Sequence, residues 1–587
     1  MSNVKIDKKN ILNYIITLAI LSIFGYLFVR GTKYKHVYSD YIEVKTDLYI
    51  VVSIIVIVFI LSILLSIKFN VIEAFKNLFD IAKKIVTNKN TYISLVTCGL
   101  GLPLAIVIEK YCFHIENVYH FWGLFIIFAL GAIMLINRKF FSEKIYILFF
   151  IVAMSIGLFN VFAAPFTLGV TWDDEAHYKG VVTLSWIKGK VISNYDETVI
   201  SSYIEALTDE NRFTREQKKA NIDRMRSFSE EYPTMVETGK QRRTIHDITY
   251  VFAALGVILG RALFNNYLLA FCLGRIMNLL AYSLAISFAI KNMKKKGGVV
   301  AAIIGLIPTN IFLASTYSYD WWVICLIILG YSFVFRDLEE QGKISTKSLF
   351  IALIICSIGI LPKAVYFPLL LPMFLFSSKS YENPKISRVV IIISVLALLG
   401  SFMIPAIFGG KLMQDSRGGD VNAAGQVSFI LSNPDKYYVI LCNFLKTYLG
   451  IDFVGAYLTA YAYYGNGAHS HYVLLFVVVA SLLDNNSFDN RPIGGVVFKI
   501  GTALGAILSI VLIVTALYVS YNPVGSETIN GCQYRYLLPI LFVFWNNMCW
   551  FKMEIPSRIK NAFTMGAMIC MTYFLFDGLY TLVLCRY

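Results

Sequence analysis

Residues 146–178 read YILFFIVAMSIGLFNVFAAPFTLGVTWDDEAHY. The first stretch, roughly twenty residues without a charge, has the length an α-helix needs to cross the hydrocarbon of a bilayer. It then runs into three consecutive carboxylates and a histidine. Insertion penalises an acid at mid-span by ~2.5–3.5 kcal/mol, so Asp173, Asp174, Glu175 and His177 have to sit at the water edge. There, Asp and His can bind a metal, polarise a hydroxyl or take a proton.

The same apolar pattern recurs on both sides of this segment. Of 587 residues, 57% are hydrophobic and only 15% charged, and the mean hydropathy is +0.65. A soluble chain of this size would divide into domains with charged surfaces. Apolar runs instead fall near 11–30, 48–67, 93–109, 119–136, 268–290, 298–315 and 320–335. Others lie at 347–377 (a Pro-broken pair), 387–408, 470–483, 494–518, 534–551 and 561–583. The expected fold is all-α, a polytopic transmembrane helical bundle of about 13–15 helices on the ~20-residue span criterion.

The formal net charge of +15 comes with no basic domain interleaved with aromatics, which argues against nucleic acid as a partner. The lysines and arginines gather in short loops, the positive-inside pattern. Loop 68–90 carries Lys68, Lys76, Lys83, Lys84 and Lys89, and loop 137–145 carries Arg138, Lys139 and Lys144. The N-terminal MSNVKIDKKN leads into a run too long for a cleaved signal, with no small-residue cleavage site. A retained anchor with a cytoplasmic N-terminus is expected, and alternation then puts 173–177 outside. Were 248–264 to cross, the basic KNMKKKGG at 291–298 would fall outside, so 248–264 is expected to lie in or near the outer interface.

Residues 167–247 form the longest polar stretch, with 14 of the 37 acids against 12 Lys and Arg. An external loop this acidic suggests a structured cap over a site. Within it, TDENRFTREQKKANIDRMRSFSEEY (208–232) has the spacing of an amphipathic surface helix. A second external region is expected at 409–469. The ten cysteines show no CxxC spacing and read as small apolar side chains.

Four places carry candidate chemistry. If 173–177 is helical, Asp173 and His177 share a face and Asp174 points about 100° away. One acid and the histidine can then converge on a ligand. A carboxylate at a dry boundary can act as base on a sugar hydroxyl. The structural alternative is a solvated helix start capped by Thr171. Late in the chain, YNPVGSETINGCQYRYLLPI (521–540) brings Gln533, Arg535 and Tyr536 into the membrane from outside. An arginine there calls for an anionic partner, and guanidinium binds phosphate, such as that of a lipid carrier, in a fork. Snorkelling to headgroups is the other reading. Asp320, after Tyr317-Ser318-Tyr319, either joins the acid cluster or caps the helix through Trp321 and Trp322. Lys363, after Pro362 inside an apolar run, needs a partner or a wet cavity, and Arg275 in FCLGRIMNLL has the same two readings. No Walker loop, Rossmann fingerprint or zincin motif appears, so an activated substrate would arrive through the membrane.

The motif Asp173-Asp174-Glu175-Ala176-His177-Tyr178 resembles one in a family of bacterial multi-spanning proteins whose activity is not assigned. So does the late segment Tyr521, Pro523, Gly525, Gly531, Gln533, Arg535, Tyr536, Pro539, and so does Pro362-Lys363 in reversed order. The resemblance covers roughly 145–585. That family in turn is similar to the GT-C superfamily of membrane glycosyltransferases, such as protein O-mannosyltransferases and the lipid A aminoarabinose transferase. These enzymes carry an acidic motif in a large first external loop of the core, use polyprenyl-linked sugar donors, and in many cases bind a divalent metal. For this chain the resemblance implies a four-helix extension over 1–140 and a GT-C-like core over 141–587. It implies Asp173 or Asp174 as catalytic acid/base, with His177 beside them, and Mg or Mn on the two aspartates. It implies Asp320 as an assistant and Lys363 and Arg535 as holders of the donor phosphate, with Gln533 and Tyr536 in the substrate site. The family's Pro-Pro-Asp-Glu-Pro is Thr-Trp-Asp-Asp-Glu here, which leaves two aspartates for one role.

The expected activity is therefore sugar transfer from a polyprenyl-phosphate donor to a glycan, wall polymer or lipid acceptor, outside a bacterial cytoplasmic membrane. A transporter or flippase of lipid-linked glycans is the alternative, as is a polymerase or ligase acting on them.

Overall fold

The computed structural model describes residues 8–32, 42–113, 117–187, 191–208, 214–228, 233–237, 245–264, 266–294, 296–408, 421–450, 456–484, 496–548 and 555–586. In chain order, α1 (Lys8–Thr32) and α2 (Ile42–Lys68) precede α3 (Val71–Thr87), α4 (Lys89–Ile108) and α5 (Val118–Ile136). A short α6 (Arg138–Glu143) leads into α7 (Ile145–Ala163). Next come α8 (Asp174–Ser185), α9 (Asn194–Thr208), α10 (Arg215–Ser227), α11 (Val251–Leu263) and the long α12 (Tyr267–Asn292). The short α13 (Gly298–Gly305) and α14 (Pro308–Ala314) are followed by α15 (Asp320–Glu340), α16 (Thr346–Ile360), α17 (Leu371–Phe374) and α18 (Pro384–Phe408). The chain ends with α19 (Ala423–Ser432), α20 (Pro434–Tyr448), α21 (Ser470–Leu483), α22 (Val496–Tyr521), α23 (Leu538–Asn547) and α24 (Ser557–Leu582). A two-stranded ribbon pairs β1 (Val191–Ser193) with β2 (Met235–Glu237).

The fold is the expected all-α polytopic bundle. Among the described residues, ten helices are long and apolar enough to cross a membrane, fewer than the number of apolar runs. Run 298–315 is divided at Leu306–Ile307, because Pro308 begins a new helix and cannot continue the old one. Run 470–483 is a helix of only 14 residues. Run 534–551 contains α23, of 10 residues. The break between α13 and α14 is buried, and its freed carbonyls are met by side chains, as an apolar surround demands. Tyr282 donates to Gly305 O at 2.8 Å and Asn310 to Ile304 O at 2.7 Å. Loop 68–90 is in fact mostly helix, α3, whose Phe75 and Phe79 are exposed. The expected helix over 208–232 is present as α10, and 209–213 and 229–232 lie outside the described residues.

The chain forms two compact units, one of residues 1–137, 161–278 and 586–587, the other of 138–160 and 279–585. In the first, the buried Asn13 of α1 ties down the turn after α2. Its amide donates to Ser66 O at 3.0 Å and Phe69 O at 2.9 Å, and its oxygen accepts from Val71 N at 2.7 Å. A Cβ added at Gly31 would lie 2.1 Å from the Ile258 carbonyl oxygen, so α1 and α11 meet backbone to backbone there. At 13 residues, α11 is about 20 Å long, short of the ~30 Å hydrocarbon core. In the second unit, the start of α7 (Ile145, Tyr146) and the end of α12 (Ile290, Lys291) line one cavity. These helices therefore run in opposite directions, and the segment 164–266 makes no net crossing.

Candidate functional site

Two ionic clusters stand out, one in each unit. The first is built on the turn that links α7 to α8. Asp174 is fully buried, and its Oδ2 accepts the N–H groups of Val170 at 2.9 Å and Thr171 at 3.0 Å. The carboxylate thus closes the turn. Thr171 does not cap the helix as the sequence suggested, and its Oγ1 is buried without a hydrogen-bond partner among the described residues. Arg275, buried on α12, donates to the carbonyls of Pro165 at 3.4 Å and Thr167 at 3.0 Å. Its guanidinium lies 4.5 Å from the Phe271 ring. Arg275 is thus held by the carbonyls of the turn, and its charge acts on Asp174. Burial pushes the Asp174 carboxyl up to about 6, while Arg275 and the two backbone N–H groups pull it down. Burial also raises Glu175.

Asp173 occupies the N-cap of α8 in the left-handed region, φ 57° and ψ 29°, and makes no capping bond with its side chain. That conformation is uncommon for a residue with a Cβ, though Asp is enriched in it, and local strain of this kind clusters at functional sites. Asp173 stays partly exposed where Asp174 is closed off. The His177 N–H bonds the Asp173 carbonyl at 3.0 Å, which gives the one-turn spacing expected from the sequence. The His177 ring nitrogen Nδ1 is 3.0 Å from the Tyr250 hydroxyl.

Two further buried charges, Lys218 and Asp196, flank this turn, and neither was among the residues singled out in the sequence. Lys218 of α10 donates to Ala163 O at 2.5 Å, Phe162 O at 3.3 Å and the Tyr119 hydroxyl at 2.8 Å. An ammonium on the last carbonyls of a helix complements the helix dipole. Burial lowers its pKa to about 7. Asp196 accepts from Tyr267 at 2.7 Å, Trp186 Nε1 at 2.9 Å, Ser193 Oγ at 2.7 Å and Tyr178 at 3.2 Å, which locks α8 to α9. Both lie in the polar stretch 167–247, whose many charges do not mark which side chains turn inward. The one available signal was spacing, because Lys218, Asn221 and Met225 fall on the buried stripe of α10.

Asp173 and Asp174 do not form a metal-binding set. Asp174 Oδ2 is engaged by two backbone N–H donors, and among the described residues no three His, Cys, Asp or Glu side chains gather as ligands.

The second cluster brings together Asp320, Lys363 and Arg535, which lie far apart in sequence. Lys363 Nζ is 2.5 Å from Asp320 Oδ1, and Arg535 Nη1 is 3.1 Å from Asp320 Oδ2. Asp320 does more than begin its helix, because its two carboxylate oxygens each face a cation. It is the anionic partner that an arginine at this depth requires. Ser318 Oγ donates to Asp320 Oδ2 at 3.2 Å and accepts the Asp320 N–H. Lys363 sits where the 346–374 span breaks, with φ −139° and ψ 76° between Pro362 and Pro368. The break turns its side chain between aromatic rings, 4.4 Å from Tyr536 and 5.2 Å from Tyr319. Tyr366 donates to the Tyr536 carbonyl at 2.8 Å. Side-chain exposure is 17% for Lys363, 7% for Asp320 and 2% for Arg535, so the lysine is the wettest member. Gln533 begins the same turn, and its carbonyl accepts the Tyr536 N–H at 3.2 Å. Its carbonyl accepts the Tyr448 hydroxyl at 2.9 Å, and its side-chain oxygen is buried without a partner among the described residues.

Fold and clusters together define a multi-span helical membrane protein with ion pairs buried at its span ends. The chain belongs to the family of predicted membrane proteins designated DUF2142, whose model matches residues 156–544, more than half of its length. No curated protein and no solved structure matches it. The matched stretch contains both clusters.

Proposed function

We propose that this protein is a membrane glycosyltransferase that moves a sugar from a polyprenyl-phosphate donor to a hydroxyl of a cell-surface glycan, wall polymer or lipid. The reaction is placed at the outer face of a bacterial cytoplasmic membrane. The observation that carries the reading is the Asp320 cluster, where one carboxylate is shared by two cations. A net positive charge remains in a low-dielectric setting with aromatic walls and one partly wet edge. Such a site favours a phosphate, which guanidinium and ammonium bind through charge-assisted hydrogen bonds.

In the transfer, the acceptor oxygen attacks the anomeric carbon and forms the new C–O bond. The bond from that carbon to the phosphate oxygen breaks, and the phosphate leaves with the electron pair. Lys363 and Arg535 stabilise the charge that develops on the phosphate. The proton of the acceptor goes to a carboxylate. Asp173 is assigned that role because it keeps solvent access, and Asp174 is assigned to position it by holding the turn.

A second reading, a flippase of lipid-linked glycans, is favoured by the interrupted helices at Lys363 and at Leu306–Ile307. Transporters place substrate sites at such breaks. Vesicles containing the purified protein, a labelled polyprenyl-phosphate sugar and an acceptor extract separate the two. Transfer predicts a new glycosidic bond that Asp173→Asn lowers by ~10²-fold or more, within the usual range for losing a general base. Labelled lipid that changes leaflet with no new bond would replace transfer with transport.

A further inference from the structure

The second unit contains a cavity of about 610 Å³ that the reading above does not use. It is formed where three spans end together. The start of α7 supplies Tyr146, the end of α12 supplies Lys291, and the start of α24 supplies Lys560. Lys144 and Lys294 also line it, against a single lining acid, Glu143. The neighbouring acids are already engaged. Asp484 holds Lys560 at 2.5 Å and accepts the N–H groups of Val299 and Val300 at 2.8 and 3.1 Å. Glu339 accepts the backbone N–H groups of Lys294 and Lys296 at 3.1 and 2.8 Å. Asn561 donates to Ser142 O at 3.3 Å and closes one wall.

We propose that this cavity binds the phosphate headgroup of an anionic membrane phospholipid. Three considerations point to that occupant. Lys144, Lys291 and Lys294 are exposed and outnumber the one lining acid, so the cavity attracts anions. The ends of three apolar spans fix it at the level where headgroups lie, and basic pockets between spans on the cytoplasmic side are suited to acidic lipids. The lysine-rich ends belong to that side by the positive-inside rule. The Lys291 ammonium also lies 5.8 Å from the Tyr146 ring, so an aromatic wall meets the interface beside a cation.

The test uses full-length protein in nanodiscs of equal phosphatidylglycerol and phosphatidylcholine, with the lipids retained after gentle extraction measured by native mass spectrometry. Wild type is expected to retain phosphatidylglycerol preferentially. In Lys144→Gln/Lys291→Gln/Lys294→Gln that preference falls by about fivefold per lysine removed. Lys294→Glu alone, a single exposed change that leaves the Asp484–Lys560 pair intact, lowers it as well. A control, Lys68→Gln/Lys76→Gln/Lys83→Gln, removes equal charge from an exposed region outside the cavity and keeps the wild-type preference. Three results overturn the proposal. The triple variant is indistinguishable from wild type. The control and the triple variant show equal loss, which makes the effect one of diffuse charge. Millimolar inorganic phosphate displaces the lipid, which makes the cavity a site for free phosphate.

Discussion

Asp320→Asn is the sharpest probe of the second cluster. The substitution keeps the shape and removes one charge. Lys363 and Arg535, with side chains 17% and 2% exposed, then lose the carboxylate they share. Removing one partner of a buried ion pair costs about 3–5 kcal/mol, because the remaining charge stays desolvated. A value near 3 kcal/mol moves the unfolding equilibrium by roughly 10²-fold. The measurement is SDS-driven unfolding in mixed micelles, for wild type, Asp320→Asn, Lys363→Met and the double variant. Removing Lys363 takes away one of the stranded cations, so the double variant should be more stable than the summed single effects, by a coupling of about 0.5–3 kcal/mol. A polyprenyl phosphate supplies the missing negative charge. At a hundred times its dissociation constant, it should restore about 2.7 kcal/mol to Asp320→Asn. Additive single effects, or an Asp320→Asn variant within ~0.5 kcal/mol of wild type, would show that the three charges do not act as a unit.

Two further outcomes follow from the first unit. The Asp174 carboxyl is raised to about 6 from an unfolded value near ~3.9, so the native state binds its proton more tightly than the unfolded chain does. Stability should therefore fall as pH rises from ~4 to ~6 and level off above, on the order of 2–3 kcal/mol in total. Asp174→Asn should remove that slope from unfolding midpoints taken across this range, and a persisting slope would reject the assignment. Gly31→Ala places a methyl against the Ile258 carbonyl and should destabilise by ~1–3 kcal/mol. Limited proteolysis within 164–266 should accelerate in that variant, whereas unchanged protection would mean that α1 and α11 do not need this close approach.

The spans were legible because apolar length is a direct reading of bilayer thickness. The places where that reading ran ahead are places where length alone is blind. Run 298–315 is long enough to cross, but Pro308 splits it, and buried side chains such as Asn310 and Tyr282 make the split tolerable. The need of Arg535 for an anion was also legible, because a charge at that depth demands a partner. The identity of Asp320 as that partner was not, since helix starts commonly carry Asp for local reasons. The two adjacent aspartates were chemically equal on paper. Backbone conformation separates them, with Asp173 in the left-handed corner and Asp174 folded back onto Val170 and Thr171. Lys218 was illegible for the opposite reason. It lies in α10, a helix of mostly exposed charges, and only its spacing with Asn221 and Met225 marks it as a lysine that turns inward onto Phe162 and Ala163.

A phosphate site at the Asp320 cluster requires that the protein discriminate phosphate from alcohol on the same lipid tail. The direct measurement is the affinity of the protein in nanodiscs for undecaprenyl phosphate against undecaprenol, in wild type and in Lys363→Gln. A charge-assisted hydrogen bond is worth about 1.5–3 kcal/mol, so wild type should prefer the phosphate by at least ~10-fold, and Lys363→Gln should lose most of that preference while still binding the alcohol. Equal affinity of wild type for phosphate and alcohol, or a preference that survives Lys363→Gln intact, would contradict the account.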